Sequence, residues 1–432
     1  MVSDRGATAV SPPPLAAGGR VRWIVVALLF AATAINYVDR QMLGLLKPTL
    51  EQQFGWSEET YANDIVFTFQ LAYAFGYIFF GNVVDRIGAR LGYTTAFIIW
   101  TIAHMLHGAA RSVVSFALVR LLLGVGESGN FPAGIKAVTE WFPKKERAFA
   151  TGLFNAGSNV GAIVTPLILP FLVAGFGWRG AFVVSGAASL VWLVAWLALY
   201  RRPRDSKILS ETERAYIERD APDPAAKVPW LPLLRCKETW AFAIGKFLTD
   251  PVWWMFLFWL PDFLHKRHGL DLSTFGPPIA IIYIVSDLGS IGGGWLSSHL
   301  IHRGWSINAA RKTTMLICAL AVTPIFLAQY VDSLWGAVAI ISLATAAHQA
   351  FSANIYTLPS DMFPRKAVGS VIGIGGTAGA VGGMLFSLYV GRVLETYHVY
   401  TLIFAVAGSV YLIALLIIHL LTPRLDEVRI GA

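Results

Sequence analysis

Long apolar stretches recur along the whole of this chain, and short polar connections separate them. A stretch of roughly 20 mostly apolar residues is long enough to cross the hydrocarbon core of a bilayer as an α-helix. Of the 432 residues, 56% are hydrophobic and only 14% are charged, and the mean hydropathy is +0.59. Soluble domains do not have such a composition. The sequence therefore predicts an all-α membrane protein whose solvent is the lipid bilayer.

Glycines, prolines and clusters of charge divide the apolar stretches into twelve predicted transmembrane helices. The predicted spans are 23–46, 62–82, 91–110, 113–137, 148–173, 179–199, 239–263, 275–298, 312–331, 334–357, 367–391 and 399–421. The first span is too long for the apolar core of a signal peptide, and no small-residue cleavage pattern follows it. We therefore interpret it as a helix.

Polar segments divide the chain into larger parts. The long polar segment 201–238 predicts a linker between a six-helix bundle at 23–200 and a second bundle at 239–421. Residues 1–22 include three consecutive prolines and several small residues, and we expect them to be disordered. Residues 422–432 are predicted to form a short tail.

A repeated motif indicates that the two bundles are related. The segment 140–145 (Glu-Trp-Phe-Pro-Lys-Lys) matches the segment 361–366 (Asp-Met-Phe-Pro-Arg-Lys), which lies 221 residues later. At the same offset Gly161 coincides with Gly382, so the repeat extends into the next span. Parallel repeats of this kind place a binding site between the halves, near the middle of the membrane. We therefore predict two pseudo-symmetric six-helix bundles around a central path.

Lysines and arginines are distributed unevenly between the two sides of the predicted membrane. With the N-terminus inside, the inner segments hold 24 of the 34 basic residues and the outer loops hold six. Cytoplasmic loops carry such an excess, so we predict that both termini are cytoplasmic and that the protein lies in the plasma (inner) membrane. The same excess accounts for the net charge of +8, and no nucleic-acid partner is needed to explain it.

The loop between the second and third spans carries a charged motif. Its residues Gly81, Asp85, Arg86, Gly88 and Arg90 resemble the signature loop of the major facilitator superfamily. The resemblance extends to the twelve spans and the long linker, and it implies the major facilitator fold and transport by alternating access. We assign Asp85 and Arg86 to a cytoplasmic gate, because charges on a short loop between packed helices can form ion pairs in one state and lose them in another.

Further motifs resemble one family within that superfamily. Three segments, at 36–40 (Asn-Tyr-Val-Asp-Arg), 120–127 and 140–147, are similar to the anion:cation symporter family. Three others, at 250–254, 287–289 and 347–350, are most similar to hexuronate transporters. The resemblance implies import of a sugar acid such as glucuronate or galacturonate together with protons. The alternatives are an aldonate, glucarate or a different small carboxylate as substrate, or anion exchange.

Two arginines lie inside predicted spans, Arg40 in the first and Arg120 in the fourth. An arginine at a helix centre costs about 2.5 to 3.5 kcal/mol on insertion scales, so each is expected to face a cavity or a partner. Both lie about 9 to 10 Å below the outer boundary, hence at one depth. Two guanidinium groups at one depth can clamp a carboxylate. The alternative is that each arginine pairs internally, Arg40 with Asp39 or Glu127, and binds no substrate.

Glu127 follows Arg120 by two helical turns on the same face, which places it about 10 Å deeper, near the midplane. Burial favours its protonated form and a nearby arginine favours its ionised form. Substrate binding to the arginine is therefore expected to let Glu127 take up a proton. Asp39 is the second candidate, and the family resemblance assigns both positions to proton coupling. The alternative is a static ion pair that only stabilises the bundle.

Polar side chains in other spans are candidates for contact with sugar hydroxyl groups, and each has packing as its alternative role. These candidate substrate-binding residues are Tyr37, Gln70, Tyr73, Asn155, Asn159, Gln349 and Asn354.

The sequence argues against other functional classes. The two cysteines and the histidines show no metal-ligand spacing, and there is no nucleophile elbow or phosphate loop. We therefore predict no enzymatic activity, no metal and no cofactor. The buried charges are few and asymmetric, unlike the rings that line a channel. We expect a monomer whose partners are a small carboxylate, protons and lipid.

Overall fold

Twelve helical spans occupy the chain between Val21 and Leu421, as the sequence predicts. The computed structural model describes residues 19–218 and 230–428, and within these ranges it contains helices and loops but no strand. The spans are α1 (Val21–Phe54), α2 and α3 (both within Phe67–Leu106, after a π-helical turn at Tyr61–Val66), α4 (Val113–Glu127 and Asn130–Trp141), α5 and α6 (both within Lys144–Leu199), α7 (Lys237–His268), α8 (Gly276–His302), α9 (Ile307–Val322, continued by a 3₁₀ turn at Thr323–Gln329), α10 (Leu334–Ile355), α11 (Arg365–Tyr397) and α12 (Thr401–Leu421).

Two glycines separate neighbouring spans that otherwise run on without a loop. Gly88 (φ 82°, ψ 167°) lies between α2 and α3, and Gly177 (φ 67°, ψ 169°) lies between α5 and α6. Glycine adopts such backbone angles without the steric penalty that a Cβ atom brings. The chain can therefore reverse direction within a single residue at both places, and both lie in gaps between predicted spans.

By length and composition, nine helical stretches among the described residues can cross a membrane. One of them, Phe149–Leu199, holds both α5 and α6. Helix α7 is not among the nine, and it carries Lys246, Asp250 and Asp262. Lys246 Nζ lies 2.7 Å from a carboxylate oxygen of Asp250, so this part of α7 is internally neutralised.

The two halves repeat the same helix contacts. Helix α1 packs along α5, and α7 packs along α11, which is the equivalent pair of the second half. A Cβ atom at Gly161 would collide with the carbonyl oxygen of Ala34 on α1. A Cβ atom at Gly382 would collide with the carbonyl oxygen of Phe247 on α7. The glycines that coincide in the sequence repeat therefore permit the same close helix approach in each half.

The linker contains a short helix, Glu211–Ile217, that is held against the first half. Arg22, at the start of α1, lies 3.0 Å from Glu213 of this helix and 3.1 Å from Glu146 at the start of α5. Arg22 is buried and helical, so order begins slightly before the end of the segment 1–22 that the sequence predicts to be disordered. The rest of that prediction lies outside the described residues.

The two halves join at one end of the bundle, which we call the closed end. There Lys47 of α1 lies 2.6 Å from Asp262 of α7, and Arg392 of α11 lies 2.5 Å from Glu59, just before α2. The backbone carbonyl of Phe258 also accepts a hydrogen bond from the Tyr61 hydroxyl at 3.2 Å. The polar contacts between the halves therefore involve residues inside the helices as well as residues just outside them.

The opposite end carries the linker and the first and last described residues, and we call it the terminal end. Tyr77 of α2 and Tyr356, directly after α10, belong to opposite halves and lie near each other on this side of the bundle. Their side chains are nevertheless 43% and 42% exposed. Both tyrosines are therefore partly accessible at the terminal end.

Candidate substrate and proton site

Arg40 and Glu127 form a buried ion pair in the middle of the first half. Nη2 and Nε of Arg40 lie 2.7 Å and 2.9 Å from the same carboxylate oxygen, Oε2 of Glu127. Nη2 also donates to Oδ1 of Asn36 at 3.2 Å. The other Glu127 oxygen, Oε1, has no hydrogen-bond partner among the described residues. The ion pair therefore leaves one carboxylate oxygen able to accept a proton or a ligand hydroxyl group.

Arg120 is buried without a counter-ion in direct contact. Its side chain is 0% exposed, and both terminal nitrogens, Nη1 and Nη2, lack a hydrogen-bond partner among the described residues. Its Nε makes one long contact, 3.5 Å, to the carbonyl oxygen of Ile65. The guanidinium carbon lies 4.1 Å from the centre of the Phe69 ring. Four N–H donors of a permanent cation are thus available to a ligand.

The expected common depth of Arg40 and Arg120 is only partly met. Arg40 contacts Glu127, which the sequence places two turns below Arg120. Both guanidinium groups still lie over the same Phe69 ring, Arg40 at 5.4 Å and Arg120 at 4.1 Å. Arg40 therefore pairs internally with Glu127, as the alternative interpretation states. Arg120 has no ion-pair partner among the described residues.

Aromatic rings from both halves enclose Arg40. Its guanidinium carbon lies 4.9 Å from the ring centres of Tyr37 and Tyr73 and 5.3 Å from that of Trp254 on α7. The Tyr73 and Trp254 rings are 6.1 Å apart, in an edge-to-face arrangement. Cation–π contacts with these rings stabilise the charge of Arg40. Two of the predicted binding residues, Tyr37 and Tyr73, are thus placed at the ion pair.

Gln70 lies between the halves. Its Oε1 accepts a hydrogen bond of 2.9 Å from the Ser387 hydroxyl of α11. Its Nε2 has no partner among the described residues, although the side chain is only 3% exposed. Gln70 therefore retains a free amide donor next to an inter-half contact.

The two asparagines of α5 occupy different environments. Asn155 is exposed, and Asn159 is half-buried. Asn159 lies within hydrogen-bonding reach of the Asp287 carboxylate on α8, across the interface between the halves. Asp287 is not a predicted site residue, although it belongs to one of the motifs that resemble hexuronate transporters.

The two candidates on α10 also differ. Gln349 is half-buried. Asn354 is buried, and its Nδ2 donates to the carbonyl oxygens of Gly293 on α8, at 3.1 Å, and of Ala350, at 2.9 Å. These contacts join α10 to α8, whereas Oδ1 of Asn354 has no partner among the described residues. The role of Asn354 in substrate binding stays a prediction.

Asp39 turns away from Arg40 and into the first half. Its Oδ1 lies 3.3 Å from Nε2 of His104 on α3, and the same nitrogen lies 2.8 Å from the Ser185 hydroxyl of α6. Neighbouring residues of a helix point about 100° apart, which explains why Asp39 and Arg40 serve different partners. Sequence reasoning missed His104, and the only available signal was a pair of histidines, His104 and His107, in an apolar span.

The predicted gate residues lie at the terminal end. The side chain of Asp85 is outside the described part of the structure. Arg86 is exposed and lines a cavity of about 390 Å³ together with Lys136, Glu140 and Arg202. This cavity is separate from the ion pair of Arg40, and the gating role of Asp85 and Arg86 remains a prediction.

A cluster of charges at the closed end is absent from the sequence prediction. Lys47 Nζ lies 2.6 Å from Glu51, 3.1 Å from Glu58 and 2.6 Å from Asp262. Lys266 contacts Glu58 and lies 3.0 Å from Asp262. Three carboxylates that lie this close together resemble a metal site, but the Lys47 amine occupies the position between them. We call these five residues the closed-end cluster.

Comparison with known proteins agrees with this architecture. Residues 29–387 match the profile of the Major Facilitator Superfamily. The chain is 32% identical over 406 residues to a hexuronate transporter of Escherichia coli (strain K12), a match that covers 92% of this chain and 93% of that protein. It is 32% identical over 308 residues to a galacturonate transporter of Dickeya chrysanthemi, covering 69% of this chain and 88% of that protein.

Solved structures with a similar fold include a bacterial homolog of the human lysosomal transporter Spinster. In its inward-facing and occupied conformation it superposes with a TM-score of 0.72 at 21% identity, covering 94% of this chain and 98% of that one. In its inward-facing and unoccupied conformation the TM-score is 0.68 at 20% identity, covering 93% and 95%. At such identity the likeness concerns the fold alone.

Proposed function

Because this chain belongs to the Major Facilitator Superfamily and is a multi-pass membrane transporter rather than an enzyme, we propose that it imports a hexuronate, such as glucuronate or galacturonate, by proton symport. The resemblance to hexuronate and galacturonate transporters supports the substrate class. The excess of basic residues supports a cytoplasmic position for both termini. In that orientation the closed end faces outward, and the terminal end faces the cytoplasm.

The observation that carries the proposal is the unpaired guanidinium of Arg120. Burial of an unpaired charge costs several kcal/mol of free energy even after the protein relaxes. Such a charge is therefore expected where a ligand of opposite charge binds to it. A carboxylate fits the fork of Nη1 and Nη2, both of which lack a partner among the described residues. The negative group of the substrate therefore binds at Arg120, beside the Phe69 ring.

The Arg40–Glu127 pair supplies a physical basis for coupling. A substrate carboxylate next to Arg120 is also attracted to Arg40, whose guanidinium lies over the same Phe69 ring. It then competes with Glu127 for Arg40. A buried carboxylate that loses its cation is stabilised by taking up a proton. Substrate and proton are thus bound together, and the empty carrier returns with the ion pair re-formed.

The groups around Arg40 suit a sugar ring. Tyr37, Tyr73 and Trp254 offer flat apolar faces and hydroxyl or indole donors at the rim. The free amide nitrogen of Gln70 adds a donor. Ring faces and donors together suit a substrate with several hydroxyl groups, which favours hexuronates, aldonates and glucarate over small carboxylates such as acetate.

Uptake into proteoliposomes tests the proposal. Proteoliposomes that contain the purified protein are incubated with labelled glucuronate, galacturonate, galactonate or glucarate. The pH of the lumen is either higher than that of the medium or equal to it. Saturable uptake of a hexuronate that exceeds equilibrium only under the pH gradient is expected. Accumulation of the labelled sugar acid that does not depend on the pH gradient but requires an anion in the lumen would instead establish an exchanger. Failure of all four sugar acids to be taken up would overturn the substrate class.

A further inference from the structure

We propose that His104 exchanges protons with Asp39, and that His107 links His104 to the closed end, so that protons reach Asp39 through the first half without crossing the substrate cavity. The inference rests on the proton symport proposed above. It adds two residues, both on α3 or directly after it, to which neither the sequence motifs nor the resemblance assigns a role.

The polar groups along this line are buried and incompletely satisfied. Asp39 is 1% exposed, His104 is 0% exposed and His107 is 1% exposed. Neither carboxylate oxygen of Asp39 accepts a well-formed hydrogen bond from the described residues, although His104 Nε2 lies 3.3 Å away. Buried polar groups in a purely structural role are nearly always hydrogen-bonded. Their lack of partners marks a place where protons or water molecules complete the network.

The hydrogen-bond pattern of His107 orients it for transfer. Nδ1 of His107 lies 2.9 Å from the carbonyl oxygen of Ala103, so this nitrogen carries the proton and Nε2 is the free acceptor. His107 Nε2 and His104 Nδ1 both lack a partner among the described residues, and the two ring centres are 6.3 Å apart. One water molecule between two such nitrogens bridges a gap of this size.

His107 begins the turn that ends α3. The turn His107–Ala109 is followed by the loop at 110–112, which faces the closed end. Phe182 of α6 stacks on His107 at 5.0 Å and lies 5.1 Å from the His104 ring, so one buried aromatic ring packs against both histidines. The route therefore starts close to the outer surface and ends at Asp39.

The charged groups around this line come from three helices. On α4, Glu127 acts electrostatically on Asp39, and Arg120 acts on His104 and on His107. His107, directly after α3, acts on His104, and α6 contributes the uncharged Ser185 hydroxyl at 2.8 Å from His104. An arginine near both rings repels a proton held on either of them. Each histidine is thus a transient carrier rather than a place where the proton rests.

The transfer is a simple proton relay. His107 takes up a proton from the outer solution at Nε2, while its Nδ1 proton stays hydrogen-bonded to the carbonyl oxygen of Ala103, and it then releases the Nε2 proton to Nδ1 of His104. His107 is neutral again, and His104 is an imidazolium. It then gives the Nε2 proton to the Asp39 carboxylate, which leaves a neutral imidazole in the other tautomer and a neutral carboxylic acid. The proton comes from the outer solution, and no bond other than N–H and O–H changes.

The test separates proton movement from substrate movement. His104→Gln keeps a hydrogen-bonding amide but carries no proton. Counterflow of labelled against unlabelled hexuronate, and the substrate affinity measured by calorimetry, are expected to stay within about twofold of wild type. Uptake driven by a pH gradient is expected to fall at least about tenfold, since loss of general acid–base transfer has effects of that order or more. His302→Gln makes the same change at an exposed histidine of α8, and this matched control is expected to keep gradient-driven uptake.

A second variant tests the relay in case His104→Gln does not fold. His107→Gln is expected to reduce gradient-driven uptake while counterflow persists. If gradient-driven uptake by the folded variants matches wild type, or if counterflow is lost as completely as driven uptake, the relay is wrong. Absence of any gradient effect in the wild-type protein would instead overturn the proposed symport itself, so the two failures are distinguishable.

Discussion

The amine of Lys47 lies 2.6 Å from a carboxylate oxygen of Asp262, although the two residues are 215 positions apart in the chain and both side chains are 0% exposed. Lys47 belongs to α1, and Asp262 belongs to α7, the equivalent helix of the second half. The Tyr400 hydroxyl, 2.5 Å from the other Asp262 oxygen, completes the contact. An alternating-access carrier must break this contact to open the closed end.

Asp262→Asn is therefore expected to favour opening of the closed end. The change removes the carboxylate of the second half that pairs with Lys47, whereas Glu51 and Glu58 of the first half remain 2.6 Å and 3.1 Å from the amine. The ion pair between the halves is thus weakened while the charge of Lys47 stays compensated. Spin labels are placed at the exposed positions Gln52 and Asp271, one in each half, and electron paramagnetic resonance measures the distance between them. Opening of the closed end is expected to lengthen this distance. An unchanged distance distribution would show that the contact does not hold the halves together.

The matched control for the closed end is Arg267→Ala. Arg267 also lies on α7, but it pairs with Asp332, which is 94% exposed and belongs to the same half. Exposed pairs contribute little, about 0 to 1 kcal/mol. This variant is expected to leave the distance between the two labels as it is in the wild type.

Arg120→Ala is expected to remove binding of the carboxylate substrate. The guanidinium is the buried cation whose terminal nitrogens have no protein partner among the described residues, so its loss removes the charge that the substrate neutralises. Removal of one member of a buried charge pair weakens binding by about 2 to 5 kcal/mol, and calorimetry measures the affinity directly. Arg111→Ala, at an exposed loop arginine, is the control. An affinity for Arg120→Ala within a few-fold of wild type contradicts the proposed binding mode.

Glu127→Gln is expected to abolish accumulation driven by a pH gradient while counterflow persists. Glutamine keeps a hydrogen bond to Arg40 but cannot titrate. Under the proposed symport, substrate binding is coupled to protonation of Glu127, so the affinity of the wild-type protein is expected to fall as pH rises. In the variant Arg40 has no competing anion, and the affinity is expected to be nearly independent of pH. Calorimetry across a pH series measures this slope. A variant that still accumulates hexuronate under the gradient would move the coupling role from Glu127 to another group.

Gly157→Ala is expected to lower the thermal stability of the first half. A Cβ atom at this position collides with the Phe30 carbonyl oxygen of α1, a backbone atom that cannot rotate away. Overpacking of this kind costs about 1 to 3 kcal/mol, measured as a lower unfolding temperature of the purified protein. Gly152→Ala, on the same helix, meets nothing within 4 Å and is expected to leave stability equal or slightly higher. Equal behaviour of the two variants would rule out close packing as the role of Gly157.

The helices were predictable because their length is a local property. The thickness of the hydrocarbon core determines how many apolar residues a span needs, and this requirement is written into each stretch separately. The breaks at Gly88 and Gly177 also have a local signal, since glycine permits the backbone angles of a tight reversal. The match of Gly161 with Gly382 predicted that the repeat extends into the next span, and the structure adds that each glycine permits a close helix contact.

The site was predictable as a set of residues but not as a set of contacts. The cost of burial singles out Arg40, Arg120 and Glu127 in any apolar span. Their depths, estimated from helical rise, ignore the reach of an arginine side chain, and so the sequence left open whether Arg40 clamps a carboxylate with Arg120 or pairs with Asp39 or Glu127; the structure shows the pair with Glu127. Asn354 likewise bonds to α8, a contact that the sequence does not reveal.

The sequence alone determined that this protein is a helical membrane protein with two related halves and buried charges, because hydropathy, glycine and repeats act over short distances along the chain. The tertiary structure decided which charges meet. Asp39 faces His104 although it adjoins Arg40, and Lys47 meets Asp262 across the halves. Such contacts depend on how each helix is rotated about its axis and which helix lies beside it, and these are properties of the packed bundle that no single segment contains.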